Sequence, residues 1–376
     1  MYWDNAATTW PKPPSVIKAV GQALRHSANP GRAGHRMAME TAEMVYDCRR
    51  EVADFFGLSD PKGVVYTTNC TASLNTVIRG LLNGGGRALT SDLEHNAVMR
   101  PLYALGRYDT AAWSPDEDET VENFRKAIRS DTKVIICTHC SNVFGVTFPI
   151  RKLASLAHRY GLLFCVDAAQ SAGVLPLDME RDGIDYLCVA PHKGLYAPTG
   201  TGLLLCSEQE RVAPLVRGGT GSYSLQLAQP DELPDRLESG TLNVSGIAGM
   251  AAGIRFVRGK GRETIYRHEL LCLQRVYDRL CDHPAIRFYT QRPAEGVSGA
   301  VMSPNVDGYT SEEVAALLDR YGVAVRAGWH CAGAAHRRFG TLEHGTVRLA
   351  PSAYTTAESA DKVSKLFLQI AEKKLH

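Results

Sequence analysis

Apolar residues fall into two rhythms along this 376-residue chain. Between 62 and 207, short continuous apolar runs alternate with stretches of helical spacing. Val64-Val65-Tyr66-Thr67, Arg87-Ala88-Leu89-Thr90, Lys133 to Thr138, Leu162 to Asp167, Tyr186 to Val189 and Thr201 to Cys206 read as strands. The stretches 71–82, 95–105, 120–129 and 151–160 read as helices. Unbroken apolar runs suit strands buried on both faces, so the pattern predicts an α/β fold with a mostly parallel sheet covered by helices.

Outside that region the rhythm changes. Residues 1–15, with Pro11, Pro13 and Pro14, form an arm unsuited to a helix interior. A short amphipathic helix at 15–24 and a glycine-rich loop at 29–35 precede a long helix over 36–56, marked by Met37, Thr41, Met44, Val45, Val52, Phe55 and Phe56 and stopped at Gly57. Residues 217–246 are loop-rich. A long helical region over 245–282 follows, then short strands at 299–302, 323–325 and 346–349 around a helix at 311–321, and a last helix over 356–373. This divides the chain into a large α/β domain at 16–255 and a smaller α+β domain at 256–376, with the arm packing against the latter.

Charge narrows the function classes. Lys plus Arg number 42 against 40 Asp plus Glu, a balance of +2, and no basic stripe interleaves with aromatics. No field invites nucleic acid or an anionic membrane. The chain has no apolar run of membrane-spanning length and starts without a signal-peptide pattern, so a cytoplasmic, soluble protein is expected. Most of the ten cysteines, among them Cys137, Cys165, Cys188 and Cys206, lie in or beside strands and read as small hydrophobes. Cys137-x-x-Cys140 has no second pair at zinc spacing, and His330, Cys331 and His336 lack a fourth ligand, so no metal is expected.

The residues that carry chemistry stand where strands end, the place open α/β sheets bind ligands. Asp167 ends one apolar run. Lys193 lies just past another, in Ala190-Pro191-His192-Lys193-Gly194. Singly, Asp167 also reads as a helix N-cap and Lys193 as a solvated turn residue. Together they suggest pyridoxal phosphate, which needs a lysine for its covalent link and an acid to keep the pyridine nitrogen protonated. Thr71 opens a helix after a strand and offers a phosphate site, or a plain N-cap. Cys331 is the cysteine whose surroundings, Arg326-Ala327-Gly328-Trp329-His330-Cys331-Ala332-Gly333, read as an exposed, adjustable loop; Arg326 and His330 could favour its thiolate. Arg348 interrupts a strand and could fork onto a carboxylate or form a surface ion pair.

Motifs along almost the whole chain carry a resemblance. They are "YWDNAATT" at 2–9, "TTNCTASLN" at 67–75, "LEHNAV" at 93–98, "SNVFGVTFPI" at 141–150, "VDAAQSAG" at 166–173, "APHKGLYAPTGTGLL" at 190–204, "RLESGTLNVSGIAG" at 236–249 and "GVAVRAGWHCAGAAH" at 322–336. In these the chain resembles the class V, fold type I pyridoxal-phosphate enzymes, specifically the cysteine desulfurase and selenocysteine lyase family of group II type.

The resemblance implies a fold type I transferase. Lys193 would carry the cofactor, Asp167 pair with its ring nitrogen, Gln170 hydrogen-bond its ring oxygen, His95 stack on the ring and Asn142 lie beside the same edge. Cys70 through its backbone, Thr71 and His192 would hold the phosphate. Thr241 would reach a partner subunit's phosphate, which implies a homodimer. Arg348, assisted by Arg326, would bind the substrate carboxylate, with Asn142 and His35 lining the substrate site. Lys193 would remove the Cα proton, and Cys331 would take sulfur from L-cysteine as a persulfide, releasing alanine and passing sulfur to an acceptor protein. L-selenocysteine lyase activity, or another class V β-elimination or transamination, is the alternative, and a non-enzymatic sulfur-relay partner a third reading. Ala72, Pro191, Trp329 and Gly333 depart from the family pattern near the site without removing an essential group.

Overall fold

The apolar runs of the first half assemble into one seven-stranded sheet: β1 (Val64–Thr67), β2 (Arg87–Ser91), β3 (Tyr108–Ala111), β4 (Thr132–Thr138), β5 (Leu163–Asp167), β6 (Tyr186–Val189) and β7 (Gly202–Cys206). In this computed structural model, which describes residues 1–30, 33–207 and 212–374, their order is β1-β7-β6-β5-β4-β2-β3. β7 runs antiparallel to both β1 and β6, and the other described pairings are parallel. Successive residues point to opposite faces, and both faces are covered. Ile135 and Cys137 join one core with Leu203 and Leu205, while Val134 and Ile136 join the other with Leu204 and Cys206. That double burial is why these strands read as continuous apolar runs.

Register sets the site. Thr138 of β4 pairs with Asp167 of β5, and Asp167 pairs with Cys188 of β6, so the strand ends carrying Asp167 and leading to Lys193 finish side by side. β3 escaped the sequence pattern because Tyr108-Asp109-Thr110-Ala111 is a half-exposed edge with no apolar run.

The expected helical region over 245–282 consists of two helices, Val244–Lys260 and Arg262–Leu280, separated at Gly261 with φ +81°. A second core lies here: Leu273, Val276 and Leu280 pack with Val314, Leu318, Val363, Phe367 and, from the arm, Trp3. The expected strands at 299–302, 323–325 and 346–349 make only isolated bridges, Met302 with Leu349, Tyr2 with Ala324 and Arg326 with Arg348. The ladder in this region joins β8 (Ile286–Arg287) to β9 (Asn305–Val306).

The arm ties the two cores. Trp3 is fully buried and its Nε1 donates to Ser359 Oγ at 2.7 Å, while Thr9 N–H and Lys12 Nζ donate to the carbonyl of His192 at 3.1 and 2.7 Å. Among the described residues no helix is long and apolar enough to cross a membrane.

Candidate active site

Lys193 sits in a tight turn after β6, its N–H on the carbonyl of Ala190 and its own carbonyl taken by Tyr196 N–H at 2.8 Å. The turn rests on the one after β5 with no room for side chains. A Cβ on Gly173, which has φ +82°, would stand 2.4 Å from the carbonyl oxygen of Gly194, and one on Gly194 would stand 2.4 Å from that of Ala172. This contact fixes the lysine turn against the one that follows Asp167. Burial, with Arg348 nearby, pulls the Lys193 amine down to about 8; the Asp167 carboxylate opposes that shift.

Asp167 is buried at the end of β5. Its Oδ1 accepts from Ala169 N–H at 2.9 Å and from the Cys70 thiol at 3.6 Å. Burial raises its pKa against those hydrogen bonds and the Lys193 charge. Gln170 follows, its amide donating to the carbonyl of Ala6 at 3.0 Å. His95 caps the helix Asn96–Leu105, Nδ1 accepting from Ala97 N–H at 3.0 Å. Desolvation and the surrounding cations, Lys193 first, bring it to about 4, so it stands neutral at pH 7 with its proton on Nε2.

The helix Cys70–Leu82 begins beside these groups, one residue earlier than expected. Asn69 is its N-cap, accepting from Ala72 N–H at 2.9 Å, so Thr71 has no capping duty and its side chain is exposed on the first turn. Asn69 takes the N–H groups of Ala72 and Ser73, while those of Cys70 and Thr71 precede the first intrahelical bond. His192 is partly buried, its Nδ1 has no hydrogen-bond partner, and burial brings it to about 4.

On the other side, Arg348 is 1% exposed and is no surface pair. Its Nη2 meets Asp4 Oδ1 at 2.7 Å, its Nη1 donates to the carbonyl of Asn142 at 3.1 Å, and its buried Nε has no partner among the described residues. Arg326 bridges Arg348 in the antiparallel sense, and its Nη2 lies 3.9 Å from Cys331 Sγ. Cys331 is exposed, as is Cys281; the other eight cysteines are buried. His330 does not help the thiolate as expected. It is buried, with Nε2 on the carbonyl of Thr346 at 3.0 Å, and desolvation holds its pKa far below the imidazole range, so it carries no charge. The loop also turns directly into a short helix, Gly333–Arg338, not read from the sequence.

Two further expected residues lie on other elements. His35 is exposed at the N-cap of the helix Arg36–Phe55, accepting from Ala38 N–H at 3.3 Å; Gly31 and Arg32 of its loop lie outside the described residues. Thr241 is exposed on the rim of a cavity of about 410 Å³ lined by Tyr46, Arg49, Thr220 and Glu238.

Sequence reasoning missed Asp4, the counter-ion of Arg348, and Glu94, a fully buried carboxyl that burial pushes up to about 8 while Thr138 N–H donates to it at 2.9 Å. Both lie inside quoted motifs, "YWDNAATT" and "LEHNAV", which was the available signal.

The donor set fits pyridoxal phosphate: an amine depressed toward neutrality, a buried carboxylate beside it, a neutral imidazole, a His192 Nδ1 with no partner among the described residues, and the helix start at Cys70 and Thr71 for an anion. The unpartnered Nε of Arg348 fits a substrate carboxylate.

Comparison with known proteins agrees. The family described as Aminotransferase class-V matches residues 1–363. The chain is 32% identical to a probable cysteine desulfurase of Pyrococcus abyssi over 96% of this chain and 92% of the relative, and 30% identical to one of Synechocystis over 98% and 89%. Among solved structures, the apo cysteine desulfurase of Thermococcus onnurineus superposes with a TM-score of 0.92 at 30% identity, covering 99% of this chain and 95% of that one. The cysteine desulfurase CsdA of Escherichia coli superposes at 0.88 with 25% identity, covering 100% and 95%. The chain belongs to the class V aminotransferases, within the cysteine desulfurase family of pyridoxal-phosphate enzymes.

Proposed function

We propose that the protein is a cysteine desulfurase that converts L-cysteine to L-alanine and carries the sulfur as a persulfide on Cys331. The observation that carries this reading is the placement of an exposed thiol 3.9 Å from a guanidinium whose strand neighbour is the buried Arg348.

Arg348 takes the substrate carboxylate through its free Nε, which orients Cα toward Lys193. When bound, pyridoxal phosphate supplies an electron sink for the substrate's Cα carbanion. Asp167 would pair with the ring nitrogen, and His192 with the first turn at Cys70 and Thr71 would hold the phosphate. Gln170, Asn142 and His95 would border the ring. Lys193, whose amine burial lowers to about 8, is the base that would take the Cα proton and later return it. Cys331 thiolate then attacks the substrate sulfur: an S–S bond forms as the Cβ–S bond breaks, and the electron pair left on Cβ takes a proton. Cysteine and the Cys331 thiol thus become alanine and a Cys331 persulfide, whose outer sulfur an acceptor-protein thiol removes.

A homodimer belongs to this proposal. Thr241, exposed in one chain, would be available to a second copy's phosphate site.

Intact mass after cysteine treatment tests the reading. The wild type should gain one sulfur that dithiothreitol removes, with alanine released. Cys331→Ser should gain none and lose alanine formation by at least about a hundredfold, as loss of a covalent nucleophile does, while keeping its cofactor absorbance. Its selenocysteine turnover should fall far less. A variant with wild-type alanine output would overturn the assignment.

A further inference from the structure

We infer that the backbone N–H of Asn96 and the side-chain amide of Asn142 are positioning groups for the Cys331 thiol, holding it in a backbone turn it would not otherwise keep. The inference deepens the proposed function, since it takes Cys331 as the sulfur-accepting group.

His330 and Cys331 have φ of +47° and +56°. Left-handed backbone is unfavourable for residues with a Cβ and routine only for glycine, and single residues are the usual case. Among the described residues these are the only two consecutive non-glycine residues with positive φ. Trp329 precedes them and the small residues Ala332 and Gly333 follow, and neither left-handed position is a glycine. Such geometry persists where the surroundings over-determine it.

The turn closes on itself where Ala332 N–H donates to the carbonyl of Trp329 at 2.9 Å, and three further hydrogen bonds tie it to its surroundings. Asn142 Nδ2 donates to the carbonyl of His330 at 2.8 Å, Asn96 N–H donates to the carbonyl of Cys331 at 2.7 Å, and the His330 ring is tied to Thr346. The first two come from the large sheet's side of the site. Asn142 follows β4, and Asn96 is the first residue of the helix that His95 caps, where an N–H has no intrahelical acceptor and is free to bond outward. Asn142 also receives Arg348 Nη1 on its own carbonyl. One short network therefore joins the carboxylate-binding arginine, the cysteine turn and the helix that starts beside His95. Cys331 is exposed, but its backbone is fastened to the residues that border the cofactor site. The thiol's reach is set by these bonds, not by loop length.

Proline at position 96 removes the one N–H while leaving the helix able to form. Proline is favoured at the first helical position, and His95 already has the extended φ of −70° and ψ of 154° that a residue before proline requires. Asn96→Ala keeps the N–H and is the control for side chain and folding. In holoenzyme, Asn96→Pro should slow single-turnover transfer of sulfur to Cys331 about tenfold, the worth of about one hydrogen bond. The cysteine-induced change in cofactor absorbance and the apparent substrate affinity should stay at wild-type values. Independently of turnover, amide exchange in a peptide spanning 328–336 should speed up about tenfold in Asn96→Pro and not in Asn96→Ala. Unchanged exchange and unchanged transfer in Asn96→Pro would overturn the inference, as would an equal effect from Asn96→Ala. A wild type that forms no persulfide would instead overturn the proposed function, and the exchange measurement would still decide whether Asn96 fastens the turn.

Discussion

Lys193 and Cys331 both ride on turns, and the two turns are held by different forces. The lysine turn is locked by backbone against backbone: Gly173 and Gly194 approach so closely that no Cβ fits between them, and the contact descends from strands buried on both faces. The cysteine turn stands at the surface, left-handed at two residues, and is held at its carbonyls by hydrogen bonds from Asn142 and Asn96. Steric locking tolerates little displacement, which suits the proposed covalent link of Lys193 to a cofactor. Hydrogen bonds can be exchanged one at a time, which suits the proposed role of Cys331 in receiving sulfur inside the site and surrendering it outside.

The sharpest break in this comparison is Lys193→Ala. Without the covalent link and the proton acceptor, alanine formation should fall by at least about a thousandfold, and borohydride reduction of wild-type holoenzyme should mark Lys193 in peptide mapping. Label on another lysine would refute the assignment.

Next comes Arg348→Lys, which keeps a charge but loses the fork that serves Asp4, Asn142 and the free Nε together. KM for cysteine should rise about tenfold to a hundredfold, the range for losing hydrogen bonds to a charged group, with a smaller change in kcat. An unchanged KM would place the carboxylate elsewhere.

Two glycines separate steric from hydrogen-bonded support directly. Gly173→Ala forces a Cβ into the Gly194 carbonyl at positive φ and should cost about 2–4 kcal/mol of stability in denaturant unfolding. Gly333→Ala, where nothing lies within 4 Å of the added carbon, should stay within about 0.5 kcal/mol. Equal costs would erase the distinction between the two turns.

The mildest effect is on pH. Cofactor uptake by the cofactor-free protein needs the neutral Lys193 amine, and burial beside Arg348 lowers that amine to about 8. The neutral fraction grows as pH rises, so uptake should climb from pH 6 to 8 and level off above about 9. An ordinary lysine, titrating near 10.4, would keep climbing about tenfold per unit through that range. Stopped-flow absorbance across pH 6–10 distinguishes the two.

The chain's order of residues determined a good deal by itself. Strands buried on both faces announce themselves as continuous apolar runs, so β1, β2, β4, β5, β6 and β7 were legible to within a residue or two, and with them the strand-end positions of Asp167 and Lys193. Edge strand β3 was not legible, because half its surface meets water and its composition follows suit. Roles at His95 and Thr241 came only through resemblance, since neither a helix N-cap nor an exposed threonine has a sequence pattern of its own.

Tertiary structure alone decided the rest. It divided the helical region at Gly261, put Asp4 of the arm against Arg348 across most of the chain's length, neutralised His330 by burying it, and bent His330 and Cys331 into left-handed backbone. The division has one physical cause. Burial of a strand is a property of consecutive residues and leaves a local pattern, whereas charge state, ion pairing and backbone strain depend on which distant groups arrive beside a residue, and their identity is written nowhere near it.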